Sequence, residues 1–357
     1  MTWTEHRRQE LTQRLAALFK VPQVRFVFLP SAAAAPIKYF PEPALIERDL
    51  REFAPDPFVF SPWRDGKPDA AIDVVIVTGV GDDCSPALWR IREQVGPQAI
   101  IALWLWDNHW AWPQNLRSIM AADLIFVSHG SPDHTGYLRT PVALLAGHIA
   151  ACSAQWARAQ AGELGDIVQR AERQHKALIN YVDYGFAWSE RTRILKSYAA
   201  DLADADVFLM PPDDRSRYFS LSPMERFAEW CRYKATIVIP IRDDLSTRVF
   251  DALLAGLIPI VPHSITDLDR IIPAGDQERL GIVRIDSLEL PTAAVAVREA
   301  LRRFEQQGTE GIMARFHYAL DRHMLVNRVT EMLFHVWQLG TGARSIRYRA
   351  ERGLYAD

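Results

Sequence analysis

The chain has 357 residues, of which 49% are apolar and 24% charged, which is a globular composition with a length that favours two domains. The net charge of −3 gives no electrostatic case for nucleic acid, and the three cysteines form neither a CxxC pair nor a metal-ligand spacing. The N-terminus lacks a secretory signal, and no apolar run approaches the ~20 residues that span a bilayer. We expect a cytoplasmic protein without a transmembrane segment, for which peripheral membrane contact stays open.

The first half of the chain contains continuous apolar runs separated by helical segments. Strands are predicted at 24–29, 72–79, 99–106 and 123–128, with a weaker one at 148–152, and helices at 85–96 and 112–122. Continuous rather than alternating apolar runs are typical of parallel strands that are buried on both faces. The alternation with helices predicts an open α/β sheet.

Polar, helical residues at 153–176 interrupt this series, and a second α/β series follows them. Its strands are predicted at 177–185, 206–210, 235–240, 257–261 and 281–285, and its helices at 189–203, 223–233 and 246–255. We predict a Rossmann-like domain over 1–155, a helical linker over 156–176, a second Rossmann-like domain over 177–320, and a closing helix with a basic, solvated tail over 321–357. Two such open sheets are expected to face a cleft, with ligands beyond the C-terminal ends of the strands.

One segment after the strand predicted at 235–240 is rich in polar groups: DDLSTRVFDALLAGLIPIV, residues 243–261. Ser246 or Thr247 can cap the helix that begins there, and the free N–H groups of a helix N-terminus suit a phosphate. Arg248 adds a charged fork, and Asp251 can accept hydrogen bonds from ribose hydroxyls. The alternative is an ordinary α/β helix whose early acid favours the helix dipole.

This segment resembles the nucleotide-sugar motif of GT-B glycosyltransferases, closest to the exostosin-like and family-1-like groups. The shared pattern is S-x-R, two hydrophobic residues, [E/D]-A-L-x-x-G-x-[I/T]-P, and the chain matches it at Ser246, Arg248, Asp251, Ala252, Leu253, Gly256 and Pro259. The resemblance implies that Asp251 binds the donor ribose and that Asp244, seven residues earlier, lies near the donor sugar. Aspartate stands at both positions where glutamate is commoner.

The same resemblance implies a function and its ligands. It implies a glycosyltransferase that moves a sugar from a UDP- or GDP-linked donor to a glycan or other hydroxyl acceptor, in surface polysaccharide or glycoconjugate synthesis. The donor would bind mainly in the second domain and the acceptor mainly in the first.

Polar residues after two first-half strands are candidates for acceptor chemistry. Asp107, Asn108 and His109 follow the strand at 99–106, and a histidine beside a carboxylate can act as a general base. His129, after the strand at 123–128, is a second candidate. Either would deprotonate the acceptor in an inverting reaction, whereas a retaining enzyme could do without a base. Plain loops, with Asp107 capping the next helix, are the alternative.

Further donor contacts are predicted at Gly185, at the end of a predicted strand, and at Arg193 and His263, which come after predicted strands of the second half. Gly185 permits close backbone approach, and Arg193 or the nearby Arg191 can meet a diphosphate. Loop 211–219 is where a nucleobase would often lie. We predict no metal, because the spacing from His129 to His134 matches no standard zinc site and the two D-x-D strings are misplaced relative to their strands.

Two other functions stay open from the sequence. A nucleotide-dependent epimerase or oxidoreductase would place its phosphate site near Gly79–Gly81, although TGVGDD lacks the full G-x-G-x-x-G pattern. A sugar- or nucleotide-binding protein without turnover is the non-enzymatic alternative.

Overall fold

A computed structural model describes residues 2–31, 40–79, 84–211, 216 and 220–357. The contacts divide the chain into two units. Unit 1 comprises residues 1–151 and 326–357, and unit 2 comprises residues 152–325. Each unit is built around one open, mainly parallel sheet with helices in the connections, which confirms the predicted α/β fold class.

The strands of the described residues, in chain order, are β1 (Val24–Leu29), β2 (Phe58–Phe60), β3 (Trp63–Arg64), β4 (Lys67–Pro68), β5 (Val74–Gly79), β6 (Ile100–Leu105), β7 (Leu124–Val127), β8 (Leu144–His148), β9 (Ala177–Val182), β10 (Ala205–Met210), β11 (Ala235–Ile237), β12 (Ile258–Pro262), β13 (Val283–Ile285), β14 (Ile346–Arg349) and β15 (Gly353–Ala356).

The α-helices of the described residues are Trp3–Leu18, Pro43–Phe53, Ser85–Val95, Trp112–Ile119, Pro132–Thr135, Ala161–Arg170, Arg191–Asp201, Pro223–Cys231, Arg248–Leu254, Asp267–Ile271, Ala274–Leu280, Leu290–Arg322 and Leu325–Gly340. Short 3₁₀ turns lie at Gly136–Leu138 and Arg158–Gln160. The backbone of Leu290–Arg322 departs from helical angles at Gly308.

The sheet of unit 1 has the order β14-β15-β8-β7-β6-β5-β1-β2, and β3 pairs with β4 separately. All neighbours in the large sheet run parallel except β14 and β15. β5 and β6 are buried along their whole length, as the continuous apolar runs predict. The C-terminal ends of the parallel strands therefore bring the loops after β6 and β7 to one edge of the sheet.

Two expectations for unit 1 are wrong. The weak strand predicted at 148–152 lies earlier, at β8, and residues 149–152 are buried but form no strand. The basic tail predicted to be solvated instead forms the hairpin β14–β15 at the edge of the sheet. Ile346 and Leu354 are buried while Arg347 and Arg349 are exposed. Only one face of this edge hairpin is buried, and the arginines of the other face made the segment resemble a solvated tail.

The sheet of unit 2 has the order β10-β9-β11-β12-β13, and all of its strands are parallel. Counted along the chain, this is the doubly wound order 2-1-3-4-5, whose direction of winding reverses between β9 and β11. In open α/β sheets ligands bind at this topological switch point, beyond the C-terminal strand ends. The fold therefore marks one place in unit 2 where a ligand is expected.

Residues 153–176, predicted to be helical, contain the helix Ala161–Arg170 within unit 2. The buried side chains Leu164 and Val168 face its packing partners, the helices Pro223–Cys231 and Leu290–Arg322.

No helix in the described part of the chain is both long and apolar enough to cross a membrane.

Candidate functional site

At the switch point of unit 2, β9 and β11 pair only at the first two residues of each strand, so the regular ladder ends there. Further along, the Tyr181 hydroxyl donates to the carbonyl of Ile237 and accepts from the amide of Ile239, both at 2.9 Å. A side chain thus satisfies backbone groups that a regular ladder would have paired. This anchors the Tyr181 ring, which is 3% exposed, at the expected ligand position.

Two arginines lie against this ring. The guanidinium carbon of Arg248 is 3.8 Å from the ring centroid of Tyr181, and that of Arg191 is 5.0 Å away. Arg248 also donates to Asn180 Oδ1 at 2.5 Å, and its buried Nε has no hydrogen-bond partner among the described residues. A buried guanidinium N–H without a partner is costly, so an anionic oxygen at this position would stabilise it.

Arg191 is 9% exposed and donates through Nε to the carbonyl of Ile239 at 2.9 Å. Burial lowers the pKa of its guanidinium, and the nearby carboxylate of Asp244 opposes that effect. Because a guanidinium titrates far above neutral pH even so, both arginines are cationic here. Two guanidiniums therefore lie together at the switch point, with the carboxylates of Asp244 and Asp251 as their acidic neighbours.

One carboxylate oxygen of Asp244 is bound within its own loop. Its Oδ1 accepts from the amides of Ile241 at 2.5 Å and Arg242 at 3.3 Å, and its side chain is buried. Asp243, just before it, has a positive φ of 55°, so the turn is tight and the carboxylate closes it. The geometry is that of a loop-stabilising aspartate that also lies near Arg191.

Asp251, in the helix Arg248–Leu254, is 3% exposed. One carboxylate oxygen accepts from Ser153 Oγ at 2.8 Å and the other from Gln155 Nε2 at 3.2 Å. Burial raises the pKa of Asp251 to about 6, although these two hydrogen bonds and the charges of Arg248 and Arg226 pull it down. The carboxylate is ionised at neutral pH, and both of its oxygens already have a protein donor.

The remaining predicted donor contacts lie at the same strand ends but differ in exposure. The Oγ of Ser246 accepts from the Arg248 amide at 3.4 Å, and Thr247 precedes the helix without a side-chain cap. Gly185 has a φ of +62°, and its amide donates to Asp183 Oδ1 at 3.0 Å.

Arg193 and His263 are exposed and have acidic neighbours. Arg193 bonds Glu190 and Glu289, each with a nitrogen–oxygen distance of 2.8 Å. His263 Nε2 lies 3.9 Å from an oxygen of Asp286. Their roles stay predictions. Residues 212–215 and 217–219 of the nucleobase loop, and Gly81 of the alternative phosphate site, lie outside the described residues.

In unit 1 the loops after β6 and β7 bring three histidines together. The ring centroids of His109 and His129 are 4.4 Å apart with planes at 79°, and His134 lies 6.1 Å and 5.8 Å from them. All three are buried. The structure thus places the two candidate bases, His109 and His129, beside each other and beside His134, and their catalytic role stays a prediction.

Asp107 lies beside this cluster, where its Oδ1 accepts from Trp110 Nε1 at 3.3 Å. The N-cap position of the next helix, Trp112–Ile119, is occupied by Ala111, which provides no side-chain cap. Within the described ranges no group of three or more histidine, cysteine or acidic residues is arranged to hold a metal ion.

Several residues of these sites were not predicted from the sequence. Asn180 and Tyr181 are polar positions inside an otherwise apolar strand, and that interruption was a usable signal. Ser153 and Gln155 left no local signal, because their partner Asp251 lies almost a hundred residues away along the chain.

The fold that these sheets define is that of the GT-B class, as the sequence resemblance implied. The structure is similar to sucrose-phosphate synthase from Thermosynechococcus elongatus with a TM-score of 0.51 and 9% identity, covering 90% of this chain and 100% of that one. The catalytic domain of starch synthase IV from Arabidopsis thaliana, bound to ADP and acarbose, scores 0.48 at 8% identity and covers 90% and 99%. The fold assignment rests on the first of these. No protein-family model matches the chain, and no curated protein sequence matches it.

Proposed function

We propose that this protein is a glycosyltransferase that transfers a sugar from a nucleotide-diphosphate donor to an acceptor hydroxyl. The observation that carries the proposal is the pair of guanidiniums of Arg191 and Arg248 over Tyr181, at the switch point of a GT-B sheet. A diphosphate leaving group needs cationic donors that stabilise its developing charge, and a preorganised arginine fork supplies them.

The donor would bind unit 2 with its diphosphate at Arg248. The partnerless Nε of Arg248 would gain a phosphate oxygen as acceptor. The donor ribose would then reach Asp251, whose two oxygens are held by Ser153 and Gln155. We propose that the ribose hydroxyls take over the longer of these hydrogen bonds, that of Gln155 at 3.2 Å. UDP and GDP are the nucleotides that the sequence resemblance favours.

Unit 1 would supply the acceptor chemistry through His109 or His129. An imidazole that is neutral at working pH can take the proton of an acceptor hydroxyl while that oxygen attacks the anomeric carbon and the bond to the diphosphate oxygen breaks. A glycan is the acceptor class that the resemblance favours, in surface polysaccharide or glycoconjugate synthesis. Product stereochemistry decides whether this base is needed.

Calorimetric titration with UDP, GDP and ADP tests the donor half of the proposal. We expect saturable binding of at least one of them, weakened by salt because the main contacts are ionic. Sugar nucleotides of the bound base are then assayed for transfer or slow hydrolysis, and NMR of the released sugar gives its anomeric configuration. Absence of saturable binding by every nucleotide would overturn the proposal, and binding without turnover would favour the nucleotide-binding protein.

A further inference from the structure

Asn108 joins the two loops that carry the histidines of unit 1. It lies directly after the loop residue Asp107 and before His109, and it is fully buried at 0% exposure. Its Oδ1 accepts from the amides of Ser128 at 3.1 Å and His129 at 3.0 Å. Its Nδ2 donates to the carbonyls of His129 at 2.8 Å and His134 at 3.0 Å.

These four hydrogen bonds use the side chain completely, since a carboxamide offers two donor hydrogens and an acceptor oxygen with two lone pairs. Aspartate could accept from the two amides but could not donate to the two carbonyls. Alanine would remove all four hydrogen bonds. The Ser128 amide would keep its second bond, to the Leu105 carbonyl at 3.0 Å, but the backbone of His129 and the carbonyl of His134 would lose the bonds that tie them to the loop after β6, and the loss of buried hydrogen bonds is costly. The position therefore requires a carboxamide of this length.

The four hydrogen bonds of the Asn108 side chain act directly on the spacing of the imidazoles. Asn108 is the chain neighbour of His109 and bonds both the amide and the carbonyl of His129. It thereby holds the backbones of the two histidines together, with their ring centroids 4.4 Å apart. Because Asn108 has no exposed surface and its polar atoms are all engaged, it does not itself reach a ligand.

We infer that Asn108 is a positioning residue that holds His109 against His129, and through its bond to the His134 carbonyl sets the third ring beside them. Its catalytic meaning rests on the proposed function, in which one of these imidazoles receives the acceptor proton. The positioning itself is a property of the folded chain and is measurable without any substrate.

The test compares Asn108→Ala and Asn108→Asp with Asn115→Ala. Asn115 is the matched control, since it is also a buried asparagine of unit 1, but it bonds Tyr137 Oη at 2.8 Å and the Asp107 carbonyl at 3.3 Å rather than a histidine. All three variants are expected to lower Tm. Only the Asn108 variants are expected to alter the imidazole signals of His109 and His129 in NMR spectra.

In the unaltered protein we expect a cross-relaxation peak between these two rings. Absence of that peak would contradict the inference, whether or not the variants fold. In Asn108→Ala that peak should weaken at least twofold, and in Asn108→Asp the added carboxylate should raise the titration midpoints of both rings. Unchanged ring signals in both folded variants, or the same changes in Asn115→Ala, would overturn the inference.

Activity separates this inference from the proposed function. With an active donor, Asn108→Ala should lower kcat at least tenfold and leave the KM for the donor within about twofold, since the donor site lies in unit 2. If no nucleotide binds but the ring signals respond as expected, the proposed function fails and the positioning stands. If transfer is observed but the ring signals do not change in the Asn108 variants, the proposed function stands and the positioning role of Asn108 fails.

Discussion

The two units wind their sheets in the same way but place different chemistry at the strand ends. The parallel strands of unit 2 follow the order 2-1-3-4-5, and those of unit 1 from β2 to β8 follow the same order with one more strand. Unit 2 presents two arginines and a tyrosine at its switch point. Unit 1 presents three buried imidazoles beyond β6 and β7, away from its own switch point between β1 and β5. One topology therefore carries cationic side chains at the strand ends of one unit and imidazoles at those of the other.

The difference shows that the fold limits where a ligand can bind but not which ligand it is. A guanidinium remains charged at any physiological pH, whereas an imidazole can gain or lose its proton within that range. The charge of the side chains after each strand, not the winding of the sheet, decides between these roles.

The largest expected effect tests whether unit 1 can be destabilised without changing the nucleotide binding proposed for unit 2. Asp123, at the opposite end of β7 from His129, is 1% exposed and bonds Arg7, Arg14 and Arg92. Burial alone would raise its pKa, but the hydrogen bond of Arg14 and the charge of Arg92 hold that pKa below its usual value. Asp123→Ala should cost about 3–5 kcal/mol, because it leaves buried cations uncompensated.

Chemical denaturation of Asp123→Ala measures this cost. Since the folded pKa is depressed, the stabilisation from this carboxylate is complete above the unfolded pKa and is lost as the pH falls through the folded pKa. A stability at pH 7 within about 1 kcal/mol of the unaltered protein would contradict the assignment. Nucleotide binding at a temperature where the variant is folded serves as the control, and we expect it to be unchanged.

The next effect concerns the acid of unit 2. Asp251→Asn should stabilise the protein at pH 7–8 by up to ~3 kcal/mol, because a pKa raised from 3.8 to about 6 marks an unfavourable buried charge. The sign follows from the raised pKa: stability decreases as the pH rises from the unfolded value through about 6, so the gain should vanish below about pH 4. Thermal melts across this range measure it, and a gain that persists at about pH 3.5 would contradict the cause.

The same substitution should weaken nucleotide binding about tenfold, since a neutral amide accepts ribose hydrogen bonds less strongly than a carboxylate. Gln155→Ala should leave binding unchanged or tighten it, because it removes the group that the ribose is proposed to replace. A tenfold loss in Gln155→Ala would instead make Gln155 a support of the site.

A smaller effect tests the anion site proposed at Arg248. Arg248→Ala should weaken nucleotide binding about 30-fold, close to 2 kcal/mol, because it removes charge-assisted hydrogen bonds to the diphosphate. Arg248→Lys should recover little of this, since an ammonium lacks the planar fork that stacks on Tyr181. Arg279→Ala is the matched control, because Arg279 also lies over a tyrosine ring of unit 2, at 5.6 Å from Tyr318. Equal losses in both variants would exclude a specific site.

The smallest expected effect separates the two arginines considered for the diphosphate. Arg193 is exposed and bonds Glu190 and Glu289, so Arg193→Ala should change nucleotide affinity less than about twofold, whereas Arg191→Ala should approach the loss of Arg248→Ala. Calorimetry on both variants decides this. A large loss of affinity in Arg193→Ala alone would indicate that the proposed anion site lies at Arg193, on the exposed surface of the helix Arg191–Asp201.

The local sequence pattern was sufficient to predict most of the fold and the polar residues that follow its strands. The continuous apolar runs of β5, β6 and β7 predicted parallel strands because both faces of such strands are buried. The polar residues that follow those runs, and Arg248 after β11, could therefore be assigned to strand ends from the order of residues along the chain. The edge hairpin β14–β15 was missed because its outward arginines masked the buried side.

The sequence by itself determined the α/β class and which polar residues follow the strands, Arg248 among them, since these depend on periodicity and on near neighbours in the chain. Only the tertiary structure decided what each polar group faces. It brought Asp251 within hydrogen-bond distance of Ser153 and Gln155. It also placed Asp244 against the amides of its own loop and Asn108 against the backbone of His129. The physical reason is that a buried polar group must find a partner wherever the fold brings one, and distance along the chain does not restrict that choice.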